Sequence, residues 1–148
     1  MLSDPPEGAA LYLCGPGGLI KAARQAAESA GWPAGAIHFE LFASAKTPEE
    51  RAANIARADE GFEIELARSG LTLEVPADMS ILEVLETHGI DCLYVCREGY
   101  CETCALDLLG GRADHRDEIQ SDAEKAENKR IYICVSRALP GETLVLDI

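Results

Sequence analysis

No stretch of this 148-residue sequence is apolar over anything near the ~20 residues that a membrane-spanning helix requires. The first residues, MLSDPPEG, lack the basic start and apolar stretch of a secretory leader, which makes the cytosol the expected compartment. Thiols stay reduced there, so clustered cysteines point to metal ligation or catalysis rather than to disulfides. Basic residues are also scarce. Thirteen Lys and Arg stand against 26 Asp and Glu, a formal charge of −13. Residues 1–58 hold 5 basic and 6 acidic residues (net −1), and residues 59–148 hold 8 and 20 (net −12), so the acidity belongs to the second part. Such a surface repels nucleic acid and anionic membranes, which excludes both as expected partners, and suits a partner with a basic patch. There is no internal repeat and no low-complexity tract. What the chain does have is a hydrophobic fraction of 47%, enough for a real core.

The sequence divides into three pieces, 1–44, 45–60 and 61–148. In the first, AALYLC has the pattern of a short buried strand, GPGG breaks it, and LIKAARQAAESAG is an Ala-rich helix closed by Gly31. AIHFELF then alternates, with Ile37, Phe39 and Leu41 on one face and His38, Glu40 and Phe42 on the other. One strand–helix–strand unit cannot cover both sides of its own sheet, so this piece reads as the edge of something larger. Residues 45–60 form a polar linker, and Thr47, Pro48 and Glu50 predict a short helix from Pro48 to Ala58. In the third piece, GFEIELA and LTLEVP flank RSG as a hairpin. Ser80 and Glu83 form a capping box for the short helix ILEVLETH, which Gly89 ends. CALDLLGG is expected to be a strand, SDAEKAEN one helical turn or two, and RIYICVS and ETLVLDI the last strands. The sum is a compact α+β domain.

Between the short helix and the strand at Cys104 lies VCREGYCETC, with Cys96, Cys101 and Cys104 spaced C-x4-C-x2-C; Cys134 follows Cys104 after 29 intervening residues. This is the plant-type spacing for a 2Fe–2S cluster. Two irons bridged by two sulfides need two thiolates each, so one loop supplies three and a distant strand the fourth. Gly99 lets the loop turn sharply and brings backbone N–H groups toward the sulfurs, where they stabilise the more negative, reduced cluster. The rival reading is a structural zinc site with four cysteine ligands, but zinc sites usually pair cysteines as two short knuckles, and Cys134 has no near neighbour. A Rieske centre needs two histidine ligands, and neither His88 nor His115 stands in a C-x-H arrangement.

On CREGYCETC, DHRDEIQS and CVSRALPGETLVLDI, residues 61–148 resemble a plant-type ferredoxin domain with the β-grasp fold. The ending resembles that of the C-terminal ferredoxin domain in the phthalate dioxygenase reductase and vanillate demethylase reductase group. Glu102 departs from the pattern, since plant-type loops usually carry Gly there; it adds a negative charge and removes conformational freedom. LYLCGPGGLI is similar to the last nucleotide-domain strand and turn of a ferredoxin-reductase-like enzyme, and Cys14, Gly15 and Pro16 to its Cys-Gly motif beside the nicotinamide. The piece 1–44 therefore resembles a C-terminal remnant of an NAD-binding reductase domain. The resemblance implies a one-electron carrier with a potential on the order of −400 mV. Its implied donor is a reduced flavin, FMN, fed by NADH in a complete reductase, and its implied acceptor a Rieske-type oxygenase. The flavin motif R-x-Y-[ST] does not occur in the sequence, and RIYI at Arg130 is only a near miss. GPGG is not G-x-G-x-x-G either, so the chain by itself is not expected to be a complete reductase. The alternatives kept open are a subunit or fragment that complements a separate flavin protein, and the zinc module.

The other candidates carry two readings each. Cys14 is either a nicotinamide-site remnant or a small buried hydrophobe, and Cys92 either a spare ligand or a core thiol. Arg97 and Tyr100, within the cluster loop, either meet a partner and shield the cluster or simply pack the loop. Asp114, Asp117 and Glu118 either form an acidic docking face or are solvated charges. Trp32 reads as packing, and the three histidines carry no assigned chemistry.

Overall fold

The computed structural model describes residues 4–44, 46–47, 49–50, 53 and 60–148. They fall into two compact units, Met1–Ala45 and Lys46–Ile148.

In the first unit, β1 (Leu11–Gly15) and β2 (Ile37–Leu41) pair in parallel with Leu11 opposite Ile37, and α1 (Gly17–Ser29) connects them. Ile20 and Ala27 of α1 and Ile37 of β2 are the buried apolar residues. The helix ends where Gly31 adopts φ 82° and Trp32 N–H donates to Ala27 O at 3.0 Å, a glycine closure of the kind the sequence predicts. The alternation in β2 is as expected: Ile37 is buried, and His38, Glu40 and Phe42 are exposed. Tyr12 is 77% exposed and stacks on His38 at 4.9 Å between ring centroids.

The second unit is built on β3 (Phe62–Leu66), β4 (Leu71–Val75), β5 (Ala105–Gly110), β7 (Arg130–Tyr132) and β9 (Leu144–Leu146), joined in the order β4-β3-β9-β5-β7. β3 and β4 form the expected antiparallel hairpin, with Ile64 opposite Leu73. β9 inserts parallel to β3 and antiparallel to β5, with a register shift between Leu108 and Gly110. Period-two alternation puts Ile64, Leu66, Val75, Leu144 and Leu146 on the core face. Against them lies α2 (Ile81–Thr87), whose Ile81, Leu82, Val84 and Leu85 are all buried. Its capping box is formed: Glu83 N–H donates to Ser80 Oγ at 3.2 Å and Ser80 N–H to Glu83 Oε2 at 2.7 Å. A second box, Ser121 with Glu124, starts α3 (Asp122–Glu127). A two-stranded pair of β6 (Ala113–Asp114) with β8 (Arg137–Ala138) completes the unit.

Two expectations change. RIYICVS is a strand only as far as Tyr132, and Val135 and Ser136 N–H groups both turn back to Tyr132 O at 3.2 and 3.0 Å. Cys134 therefore sits in a turn after β7, not in a strand, because these bonds fold the chain back on Tyr132. In the linker, Thr47 and Glu50 make the reciprocal capping bonds, at 2.7 and 3.2 Å. Most of the helix expected at 48–58 lies outside the described residues. Among the described residues no helix is long and apolar enough to cross a membrane.

Candidate metal centre

The segment 91–104, between α2 and β5, contains no helix or strand. Three backbone positions in it decide its path. Arg97, Gly99 and Glu102 all have positive φ, at 56°, 78° and 64°. At Gly99 a side chain is doubly excluded, since a Cβ would lie 2.7 Å from Val135 Cγ2 and 3.3 Å from Asp117 Cα. Glu102 occupies a left-handed conformation that costs an L-residue on the order of 1 kcal/mol. The conformation is the one a glycine would adopt, which gives a physical sense to its departure from the plant-type pattern.

The loop brings four sulfurs together as two pairs. Cys104 and Cys134, both buried, place their Sγ atoms 3.2 Å apart. Cys96 and Cys101, both half-buried, are hydrogen-bonded to one another, and Cys96 N–H also donates to Cys101 Sγ at 3.4 Å. Backbone amides converge on the sulfurs. Glu98 N–H donates to Cys96 Sγ at 3.3 Å, Tyr100 N–H to the same sulfur, and Gly99 N–H to Cys134. Thr103 Oγ1 lies 3.5 Å from Cys101 Sγ. Among the described residues no three His, Cys, Asp or Glu side chains are placed to hold one metal ion. Two pairs are what a two-iron cluster needs, two thiolates per iron, so the donor set fits that group.

Within each pair one thiol is lowered and the other raised. The hydrogen bond with Cys134 holds the Cys104 thiol down at about 7, against the opposing effect of burial. Cys134, through the same bond with Cys104 and its burial, is pushed well up. Burial raises Cys96. At Cys101 burial is outweighed by hydrogen bonds with Thr103 and Cys96, so its thiol is lowered.

The remaining candidates sort themselves. Arg97 packs the loop: its guanidinium sits 4.0 Å from the Tyr94 ring centroid and donates to Glu86 at 3.0 and 2.5 Å. Cys92 is half-buried rather than core, and burial raises its thiol. Cys14 is exposed, which corrects its reading as a buried hydrophobe; β1 ends one residue later and Pro16 caps α1. Asp117 is only 3% exposed, so it belongs to no acidic docking face. Asp114 faces Arg116 at 2.7 Å. The burial of Asp117 had no sequence signal beyond the local Asp-x-Ile-Gln turn chemistry. The same holds for Arg137, whose guanidinium donates to the Met79, Pro76 and Glu60 carbonyls at 2.6, 2.9 and 3.4 Å.

Residues 64–139 match the model of the 2Fe-2S iron-sulfur cluster binding domain. The whole chain is 41% identical to part of a carnitine monooxygenase reductase subunit from Acinetobacter pittii, covering 45% of that protein. It is 38% identical to part of a vanillate O-demethylase oxidoreductase from Pseudomonas sp., covering 44% of it. The chain thus spans less than half the length of the curated relatives it matches. Among solved structures, 98% of the chain superposes on 41% of phthalate dioxygenase reductase, with a TM-score of 0.63 and 38% identity. That structure is described as a modular one for electron transfer from pyridine nucleotides to [2Fe-2S]. The chain belongs to the family of 2Fe-2S iron-sulfur cluster binding domains, and it matches the C-terminal parts of reductases of the phthalate dioxygenase and vanillate demethylase kind.

Proposed function

We propose that this protein carries single electrons on a 2Fe–2S cluster held by Cys96, Cys101, Cys104 and Cys134. The donor is a reduced flavin, FMN, fed by NADH in a reductase domain or subunit, and the acceptor is a Rieske-type oxygenase. The observation that carries the reading is the arrangement of four thiols in two pairs, with peptide N–H groups aimed at the sulfurs. When bound, the cluster supplies the one-electron chemistry, and the protein contributes ligation, hydrogen bonds and a docking surface. The thiol pairs bind as thiolates, so loading displaces their protons. Amides of Glu98, Gly99 and Tyr100 favour negative charge on the sulfurs. Glu102, exposed beside Cys101, opposes it.

The relatives' names support an oxygenase system as the setting, and their greater length supports a donor carried elsewhere, on the same or another polypeptide. In this reading residues 1–44 are the end of a nucleotide-binding domain, 45–60 the linker and 61–148 the ferredoxin domain, working in the cytoplasm. Cys14, Gly15 and Pro16 then stand where the nicotinamide would approach, which suits the exposed thiol. The test is the visible and EPR spectrum of anaerobically purified protein before and after dithionite, followed by reduction with NADH plus an FMN reductase. Visible bands that bleach on one-electron reduction, and that also bleach enzymatically, support it. A protein that stays colourless after iron–sulfide reconstitution refutes it.

A further inference from the structure

Asp117 is a carboxylate buried to 3% exposure, an arrangement that carries a desolvation cost unless it is well partnered. Its Oδ1 accepts N–H groups of Ile119 and Gln120 at 3.0 and 2.8 Å, which folds residues 117–120 into a tight turn. Its Oδ2 is buried with no hydrogen-bond partner among the described residues. Lys125 Nζ holds the Asp117 carbonyl at 2.8 Å from the other side.

This turn is braced on the cysteine loop. Glu118 N–H donates to Gly99 O at 2.9 Å, and Asp117 Cα stands 3.3 Å from where a Gly99 Cβ would be. The Gly99 carbonyl and the Tyr100 N–H belong to one peptide plane, and in a trans peptide they point in opposite directions. Drawing the carbonyl outward to Glu118 therefore directs the Tyr100 N–H inward, toward Cys96 Sγ. The preceding plane carries the Gly99 N–H to Cys134. A turn outside the cysteine loop thus holds the peptide plane whose Tyr100 N–H faces one sulfur pair, next to the Gly99 N–H that faces the other.

We infer that Asp117 is a positioning residue for cluster reduction: its turn aims the Tyr100 amide at a ligand sulfur and so raises the potential that the loop alone would give. The inference rests on the 2Fe–2S reading. It is tested with two variants of equal charge, Asp117→Asn and Asp117→Ala, in the reconstituted full chain. Both remove the buried charge; only Asn keeps an oxygen acceptor for the turn. The Ala variant is expected to have a reduction equilibrium constant about three- to tenfold lower than the Asn variant. At 59 mV per tenfold for one electron, that is roughly 30–60 mV. Hydrogen exchange across residues 97–103 is expected to be faster in the Ala variant. Equal potentials and equal exchange in the two variants overturn the inference, even if both melt below wild type, since a scaffold role moves stability alone. If Asp117→Ala does not fold, Asp117→Leu, close to Asn in shape and without an acceptor, replaces it in the same comparison, and equal values overturn the inference there too. Wild-type protein that takes up no cluster refutes the electron-transfer reading, whereas loaded variants with identical potentials refute only the role of Asp117.

Discussion

Cys104 and Cys134 are 30 positions apart in sequence and 3.2 Å apart at their sulfurs. One closes the cysteine loop at the start of β5, and the other occupies the turn after β7. The antiparallel pairing of those strands, with Ala105 opposite Tyr132, is what brings them together. The fourth proposed ligand is thus brought to the loop by strand pairing and the turn that follows it.

Removing that ligand tests the assignment. Cys134→Ala is expected to lose most of the ~two irons per chain of a loaded cluster, read by iron and sulfide analysis, while keeping its far-UV circular dichroism. Cys14→Ala and Cys92→Ala are expected to keep their iron, because neither thiol belongs to the two pairs. Full iron content in Cys134→Ala would move the fourth ligand elsewhere.

Gly99→Ala places a methyl 2.7 Å from Val135 Cγ2 on a backbone at φ 78°. Overpacking and left-handed strain together predict a loss of about 1–3 kcal/mol in urea denaturation. Adding Val135→Ala is expected to return the steric part and leave the backbone part. A double variant as unstable as the single one would show that the contact with Val135 does not matter.

Glu102→Gly relieves a left-handed residue and removes a charge next to Cys101. The expected outcome is a gain of about 1 kcal/mol together with a more positive reduction potential. The potential difference from wild type is expected to shrink with added salt, since the residue is exposed. Redox titration at two ionic strengths checks both signs.

Asp147 accepts two bonds from Arg68 at 2.9 and 3.1 Å, and this lowers its pKa. A carboxylate with a depressed folded pKa stabilises the fold above its ordinary range and loses that contribution as pH falls through the lowered value. Arg68→Ala is therefore expected to lower the urea midpoint slightly at pH 7 and to leave it unchanged at pH 2. The pair is solvent-exposed, so the effect is small and falls with salt.

Much of this protein was legible before any fold was known. The hairpin at Phe62–Val75, the helix after Ser80 and the closure at Gly31 follow from interactions between residues a few positions apart, and such interactions leave a sequence pattern. The C-x4-C-x2-C spacing was equally plain, because one loop must wrap one side of the cluster. SDAEKAEN is expected to form one helical turn or two, and α3 spans Asp122–Glu127.

What the tertiary structure decided lies across the chain. That RIYICVS stops being a strand at Tyr132 is set by the need for Cys134 to meet Cys104. That Asp117 is buried rather than solvated is set by residues 117–120 packing on Gly99. That Arg97 serves the loop is set by Glu86 on α2, eleven positions earlier. A charged side chain looks the same in a sequence whether it faces water or a neighbouring loop. Only the packing of distant segments removes the water and turns such a residue into a support for the metal centre.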